Sequence, residues 1–180
     1  MVPDVRPVLK IVAPESIMIS ASMTESVSCS GGSDAVISGS ASGGTGMLSY
    51  SLSATFADSS DDLFFGDLGP GLYTVYAMDE NGCTAAIENI SIANPQALTV
   101  SVSGGQNGIL DATCPDSEDG SVVLITIGGS GTSAGMTFST DGENFEAGNI
   151  LSLPGGTYTF YAMDVNGCIG ATANEYTVGA

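Results

Sequence analysis

The chain has 180 residues, of which 43% are hydrophobic, so it can form packed cores and is not a disordered acidic tail. Twenty Asp and Glu residues stand against two cationic side chains, Arg6 and Lys10, which gives a formal net charge of −18. Because nucleic acid and anionic membrane surfaces are bound mainly through Lys and Arg, this balance excludes both as partners. The acidity favours solubility and repulsion between neighbouring molecules, and the alternative is that carboxylates collect calcium ions.

Residues 1–13 contain a short strand pattern, VLKIVA, that resembles NISIAN before Pro95 and EYTVGA at the end of the sequence. We interpret residues 1–13 as the last strand of a preceding repeat, or as a strand donated to a neighbouring molecule. The apolar run is broken by Pro3, Pro7 and Lys10, so it does not read as a signal peptide. No run approaches the roughly 20 apolar residues of a spanning helix, and direct membrane insertion is not expected.

The sequence repeats with an offset of 85 residues. Several landmarks recur at this offset: Cys29 and Cys114, Asp34 and Asp119, Tyr73 and Tyr158, Cys83 and Cys168, and GGTG and GGSG. So many matches at one offset predict a tandem duplication, with one repeat over residues 14–94 and a second over residues 95–180. The alignment is weakest between Met47 and Asp67, where we expect loops of different length.

Short stretches of period 2 dominate both repeats, among them IMISAS, LSYSLS, YTVYAM, LTVSVS and TYTFYAM. Six or seven short strands in each repeat predict an all-β protein with two tandem immunoglobulin-like antiparallel β-sandwich domains. Alternation places Tyr73, Val75 and Ala77 on one face, which we expect to be buried. Tyr73 and Tyr158 lie where a tyrosine corner would bond to the preceding loop.

One turn is spelled almost identically in both repeats, as YAMDENGC and YAMDVNGC. Its Asn-Gly pair is a strong hairpin signal, and we predict a type I′ turn in which both residues take positive φ. The preceding aspartate can accept backbone N–H bonds in the same turn, although one Asp and one Asn are too few ligands for calcium. The predicted turn residues are Asp79, Asn81, Gly82, Asp164, Asn166 and Gly167.

These motifs together resemble a known family. VSCSGGSDAVISGSASGGTG followed by LGPGLYTVYAMDENGCTA, and TCPDSEDGSVVLITIGGSG followed by LPGGTYTFYAMDVNGC, are similar to the SprB repeat of large cell-surface adhesins in gliding Bacteroidetes. The first copy departs from the pattern in the middle, where it lacks the turn found at Asp141-Gly142. The resemblance implies export through the outer membrane, an extracellular cell-surface location, a structural or adhesive role, and no catalytic residue.

The four cysteines allow three pairings. The simplest interpretation is one disulfide within each repeat, Cys29 with Cys83 and Cys114 with Cys168, which would stabilise each domain by roughly 4 kcal/mol and indicate an oxidising compartment. Buried free thiols are the alternative. In a seven-strand immunoglobulin order, however, the end of the first strand and the turn after the sixth lie at opposite poles. Zinc is not expected, because CxxC spacing and histidine are both absent.

An enzyme is not expected, because there is no His and only Lys10 besides carboxylates for general base work. Two other functions remain. The favoured hypothesis is a non-catalytic spacer or stalk in a large cell-surface adhesin, whose partners are neighbouring repeats. The alternative is a subunit of a self-assembling extracellular filament, in which residues 1–13 join identical subunits by strand donation.

Overall fold

A computed structural model describes residues 12–129 and 135–180. The predicted donor or tail strand over residues 1–13 therefore lies outside the described residues, apart from Val12 and Ala13, which belong to no strand. The interpretation of that segment stays a prediction.

The described residues are all-β, with a single short 3-10 turn at Gly105–Gly108, and the predicted fold class is confirmed. Six strands belong to the first sequence repeat: β1 (Met18–Glu25), β2 (Ala35–Ser42), β3 (Leu48–Ser51), β4 (Phe64–Leu68), β5 (Gly71–Asp79) and β6 (Thr84–Ile92). Nine described strands follow: β7 (Thr99–Val102), β8 (Gly120–Ile127), β9 (Thr137–Ser139), β10 (Glu146–Ala147), β11 (Ile150–Leu153), β12 (Gly156–Tyr158), β13 (Tyr161–Met163), β14 (Ile169–Ala171) and β15 (Tyr176–Val178).

Strands β1 to β6 form two three-stranded sheets, in the orders β1-β2-β4 and β3-β5-β6. Strands β3 and β5 pair antiparallel, with Leu48 opposite Asp79. Ile37 on β2 and Val75 and Ala77 on β5 are completely buried, whereas Tyr73 is half-buried. The predicted apolar face of β5 is therefore correct, and its alternation fits a strand with one face in a sandwich core.

Strands β7 to β15 form three sheets, in the orders β11-β8-β7, β10-β9-β13-β14 and β12-β15. One continuous hydrophobic core joins side chains from the first two sheets, among them Val122 and Leu124 on β8, Phe138 on β9 and Ala162 on β13. Phe160 is fully buried and stacks on Tyr158 at a ring separation of 6.0 Å. Apolar side chains of facing antiparallel sheets that share one core make a β-sandwich.

The compact units of the chain do not follow the sequence repeats. The first unit comprises the described residues up to Thr24, together with Val36–Gly66 and Leu72–Ser91. The second comprises Glu25–Ala35, Asp67–Gly71 and the described residues from Ile92 onwards. Two loops that belong to the first sequence repeat thus pack within the second unit.

The two repeats differ in their middle loops, as the alignment predicts. In the second repeat the turn at Asp141-Gly142 is closed by the Asp141 carboxylate, which accepts bonds from the backbone N–H groups of Glu143 and Asn144, both at 2.8 Å. Bonds from Asn144 above all hold the pKa of Asp141 below its usual range. In the first repeat, Tyr50 and Ser60 instead exchange two backbone bonds of 2.7 and 2.8 Å.

Candidate functional site: two hairpin turns and two cysteine loops

The first turn of interest, called the Cys83 turn and comprising residues 79–83, joins β5 to β6. Asp79 accepts bonds from the backbone N–H groups of Asn81 at 3.0 Å and Cys83 at 2.8 Å through Oδ1, and from Thr45 at 2.9 Å through Oδ2. These bonds favour the ionised form, and the bond from Cys83 contributes most to a lowered pKa of Asp79. Asp79 itself is buried. The turn is therefore built around a buried carboxylate whose two oxygens both accept hydrogen bonds.

The Cys168 turn, residues 164–168, repeats this arrangement between β13 and β14. Asp164 Oδ1 accepts bonds from the backbone N–H groups of Asn166 at 3.0 Å and Cys168 at 2.9 Å. The N–H of Gly167 donates to the Asp164 carbonyl at 3.0 Å. Nearly identical sequences thus form the same turn with the same hydrogen bonds.

The predicted type I′ geometry of these turns is wrong. Gly82 and Gly167 both have a φ of +82°, but neither Asn81 nor Asn166 has a positive φ. Each turn is a β-turn followed by a glycine in the left-handed region, which is the three-residue hairpin loop. The aspartate carboxylate explains the difference, because it binds the N–H groups two and four residues on and so fixes the asparagine at negative φ.

The Cys29 loop, residues 28–34, follows β1. The backbone N–H of Ser28 donates to Asp34 Oδ1 at 3.0 Å, and the N–H of Gly32 donates to the Cys29 carbonyl at 2.9 Å. The side chain and backbone of Ser28 lower the pKa of Asp34. One carboxylate therefore closes the loop that presents Cys29.

The Cys114 loop, residues 113–119, has the same design. The backbone N–H of Thr113 donates to Asp119 Oδ1 at 2.9 Å, and the N–H of Ser117 donates to the Cys114 carbonyl at 3.0 Å. Hydroxyl bonds from Thr113 and Ser117, at 2.6 and 2.7 Å, lower the pKa of Asp119 to about 2. Asp34 and Asp119, which the sequence only matches by position, thus share one structural role.

A disulfide joins Cys29 to Cys168, with a Cα–Cα distance of 5.5 Å and a sequence separation of 139 residues. The predicted pairings of Cys29 with Cys83 and of Cys114 with Cys168 are wrong, since Cys83 and Cys114 are free and exposed thiols. The physical reason is that disulfide partners need Cα atoms within about 7 Å, and Cys29 and Cys168 meet this requirement at 5.5 Å, so neither is left to bond Cys83 or Cys114.

The Cys29 loop forms one wall of a shallow groove beside the Cys168 turn, here called the Cys168 groove. Its lining includes Cys29, Ser30, Ala97, Leu98 and Cys168. The Sγ atom of Cys168 lies 3.3 Å from the Ser28 carbonyl oxygen, and only 8% of the surface of Cys168 is exposed. The disulfide is therefore accompanied by packing of the loop against the turn.

Tyr158 makes the bond of a tyrosine corner, because its hydroxyl donates to the Pro154 carbonyl four residues upstream at 3.0 Å. Tyr73, its counterpart in the first repeat, lies on β5 and is half-buried. The tyrosine-corner bond is thus seen for Tyr158, and for Tyr73 it stays a prediction.

Within residues 12–129 and 135–180, no group of three or more His, Cys, Asp or Glu side chains is placed to hold a metal ion. Calcium binding stays a prediction. None of the helices in the described part of the chain is long and apolar enough to cross a membrane.

No family model matches the chain, and no curated protein matches it, so membership of the SprB repeat family stays a prediction. Among solved structures, the chain is similar to the fibronectin(III)-like modules of CbhA from Clostridium thermocellum. The identity is 13%, the match covers 89% of this chain and 94% of that chain, and the TM-score is 0.31. A similarity of this size assigns no function.

Proposed function

We propose that the chain is a non-catalytic, load-bearing spacer of a larger extracellular adhesin, made of tandem β-sandwich repeats. The observation that carries the proposal is the Cys29–Cys168 disulfide, which joins a cysteine of the first sequence repeat to one of the second. A disulfide suits an oxidising, extracellular compartment. The uniform negative charge suits a stalk whose neighbours must stay apart.

The disulfide changes how tension passes along the chain. When the two ends are pulled, the covalent path runs to Cys29, crosses the sulfur–sulfur bond and continues from Cys168 to the end of the chain. Strands β2 to β13 lie between the two cysteines and carry no covalent load. At about 3.4 Å per extended residue, the bridge withholds roughly 470 Å of chain from extension across its 139-residue separation. Such a spacer keeps its length under load.

Single-molecule stretching of the full chain between terminal handles tests this role. We expect the oxidised chain to stop extending early, and the reduced chain to extend by roughly 470 Å more, as the withheld length requires. Cys29→Ser should extend fully without reductant. The matched control is the double variant Cys83→Ser/Cys114→Ser, which keeps the bridge and should behave as the oxidised chain. Full extension of the oxidised chain would refute the load-bearing role.

The extracellular location is tested separately through the exposed thiols. Cys83 and Cys114 are both accessible on the folded chain, so a thiol reagent that does not cross membranes should label, on intact cells that produce the protein, those of the two thiols that are not bonded to another copy. Labelling that occurs only after cell lysis would contradict the extracellular part of the proposal. Disappearance of the label in the double variant Cys83→Ser/Cys114→Ser is the control for specificity.

A further inference from the structure

The disulfide uses one of two cysteine loops and one of two hairpin turns. The Cys114 loop has the same closing bonds as the bonded Cys29 loop, a backbone bond to an aspartate at 2.9 Å and a bond back to the cysteine carbonyl at 3.0 Å. The Cys83 turn has the same aspartate bonds as the bonded Cys168 turn. The Cys114 loop and the Cys83 turn therefore have the geometry of the disulfide-bonded pair but carry free thiols.

A groove lies beside Cys83 in the same position as the Cys168 groove. We call it the Cys83 groove, and its lining includes Ser16, Ile17, Cys83 and Thr84. Counted from Pro14 and Pro95, which open the two repeats, Ser16 and Ile17 correspond to Ala97 and Leu98, and at the 85-residue offset Cys83 and Thr84 correspond to Cys168 and Ile169. All four of these second-repeat residues line the Cys168 groove. The two grooves are thus built from equivalent positions of the two repeats.

The grooves differ in what covers them. The Cys29 loop packs against the Cys168 turn and forms one wall of the Cys168 groove, and Leu98 and Cys168 are each only 8% exposed. In the Cys83 groove the equivalent Ile17 is half-buried and Cys83 is exposed. The Cys83 groove has the turn and strand residues of the first junction without a cysteine loop against them, and its thiol remains free to bond.

We infer that the Cys83 groove binds the Cys114 loop of a second copy of this chain, and that Cys83 and Cys114 then form a disulfide equivalent to Cys29–Cys168. The partner follows from the molecule itself, because within residues 12–129 and 135–180 the Cys29 loop is the loop that packs against such a turn, and the Cys114 loop is its repeat equivalent. Repeated use of the junction joins copies head to tail.

The bond forms by two thiol–disulfide exchanges with a small disulfide such as glutathione disulfide. The thiolate of Cys83 attacks one glutathione sulfur, which forms a mixed disulfide and releases one glutathione thiolate. The thiolate of Cys114 from the second copy then attacks the Cys83 sulfur and releases the second glutathione. Two protein thiols are oxidised, one glutathione disulfide is reduced to two glutathiones, and the two protons pass to the released thiolates.

The junction between copies carries more negative charge than the existing one. Acidic residues replace neutral ones at four equivalent positions: Glu15 for Gln96, Glu80 for Val165, Asp116 for Gly31 and Glu118 for Ser33. Two of these acids flank the Cys83 groove or turn and two lie in the Cys114 loop. Since salt shortens the Debye length from about 30 Å at 0.01 M to about 3 Å at 1 M, cross-linking between copies should accelerate as salt is added.

Two variants of the full chain, each with one free thiol, provide the decisive test. Cys83→Ser retains only the Cys114 thiol, Cys114→Ser retains only the Cys83 thiol, and both keep the Cys29–Cys168 bridge. Incubated with glutathione disulfide, neither variant alone should form dimers, whereas an equimolar mixture should form dimers only. The unmodified chain should form a ladder of multimers on a non-reducing gel. Peptide mapping of the mixed dimer should identify a Cys83–Cys114 bond.

Three outcomes would overturn the inference. Equal dimer formation by either variant alone would indicate symmetric, unguided oxidation. A monomer that contains a Cys83–Cys114 bond would indicate pairing within one chain. Glutathione adducts without dimers in the mixture would show that the groove does not accept the loop. None of these readouts involves tension or cells, so they are independent of the proposed spacer function.

A variant of the groove distinguishes docking from random collision. Ser16→Trp places a bulky side chain in the Cys83 groove, and Ser59→Trp on an exposed loop of the same unit is the control. Because a filled groove excludes the loop, Ser16→Trp should slow dimer formation about tenfold, with Ser59→Trp unchanged. The rate at which glutathione disulfide modifies Cys83 should stay the same in both variants. Equal dimer rates for the two variants would overturn the docking role of the groove.

Discussion

The Cys83 turn and the Cys168 turn differ in one residue of their five and share their hydrogen bonds, yet they end in different chemical states. Cys168 is bridged and buried, and Cys83 is an exposed thiol. The local sequence therefore determines the turn, because one aspartate and one glycine satisfy its backbone. Whether the cysteine is bonded depends on a segment far away in the sequence: the Cys29 loop packs against the Cys168 turn and bonds its cysteine.

Among the substitutions that test this difference between the turns, Cys168→Ser is expected to change the free energy of unfolding most. Loss of a bridge that closes 139 residues should lower the free energy of unfolding of the second unit by about 5 kcal/mol on the chain-entropy model. Denaturant titration with and without reductant measures this, and reduced wild-type chain should match the variant. Cys83→Ser is the matched control and should leave stability unchanged. Equal stability of Cys168→Ser and wild type would show that the bridge does not stabilise the fold.

A smaller effect is expected when the carboxylate of the bonded turn is removed. Asp164→Ala deletes the acceptor of two backbone bonds, from Asn166 and Cys168, at a position that is only 4% exposed. Charged-acceptor bonds of this kind suggest a loss of about 2 kcal/mol in the free energy of unfolding. Denaturant titration of the oxidised variant provides the measurement. A loss near zero would mean that the bridge alone holds the turn.

Tyr158→Phe should have a still smaller effect. The substitution keeps the ring that stacks on Phe160 and removes only the hydroxyl bond to the Pro154 carbonyl. A single neutral hydrogen bond contributes about 1 kcal/mol, and the variant should lose about that much. Thermal unfolding of wild type and variant in parallel gives the difference. A larger loss would indicate a role of the hydroxyl beyond this bond.

The two cysteine loops should respond alike to acid, and this is the smallest expected effect. The pKa values of Asp34 and Asp119 are lowered in the folded state, that of Asp119 to about 2, so their stabilisation is complete above the unfolded pKa of about 3.9. The stabilisation by Asp119 is lost as the pH falls through its folded-state pKa of about 2. Asp34→Asn and Asp119→Asn should each flatten the acid limb of a melting temperature profile. An unchanged profile in either variant would contradict the carboxylate's role in its loop.

Much of the fold follows from local patterns in the sequence. Alternation correctly predicts the buried face of β5 through Val75 and Ala77, because a strand exposes and buries successive side chains. The 85-residue offset also identifies Asp34 and Asp119 as equivalent, and both close a cysteine loop. These features depend on residues a few positions apart, for which sequence spacing is a sufficient guide.

The failures concern contacts between distant residues or competing bonds. Equal spacing of the cysteines fits a bond within each repeat and a bond between repeats equally well, so spacing alone could not choose Cys29–Cys168. A seven-strand immunoglobulin order, which puts the end of the first strand and the turn after the sixth at opposite poles, argues against the bond within a repeat, and the sequence already contained that signal. The type I′ prediction failed because it considered the Asn-Gly pair without the bonds that Asp79 and Asp164 make to it.

The position of the disulfide also bears on resistance to proteolysis. A protease that cuts any single peptide bond between Cys29 and Cys168 leaves two pieces that are still held together by sulfur. Exposed loops lie within this stretch, for example around Ser59 and Glu143, where digestion would begin. A nicked chain should therefore migrate as one species on a non-reducing gel and as two after reduction. Cuts that would sever an unbridged chain leave this one continuous from end to end.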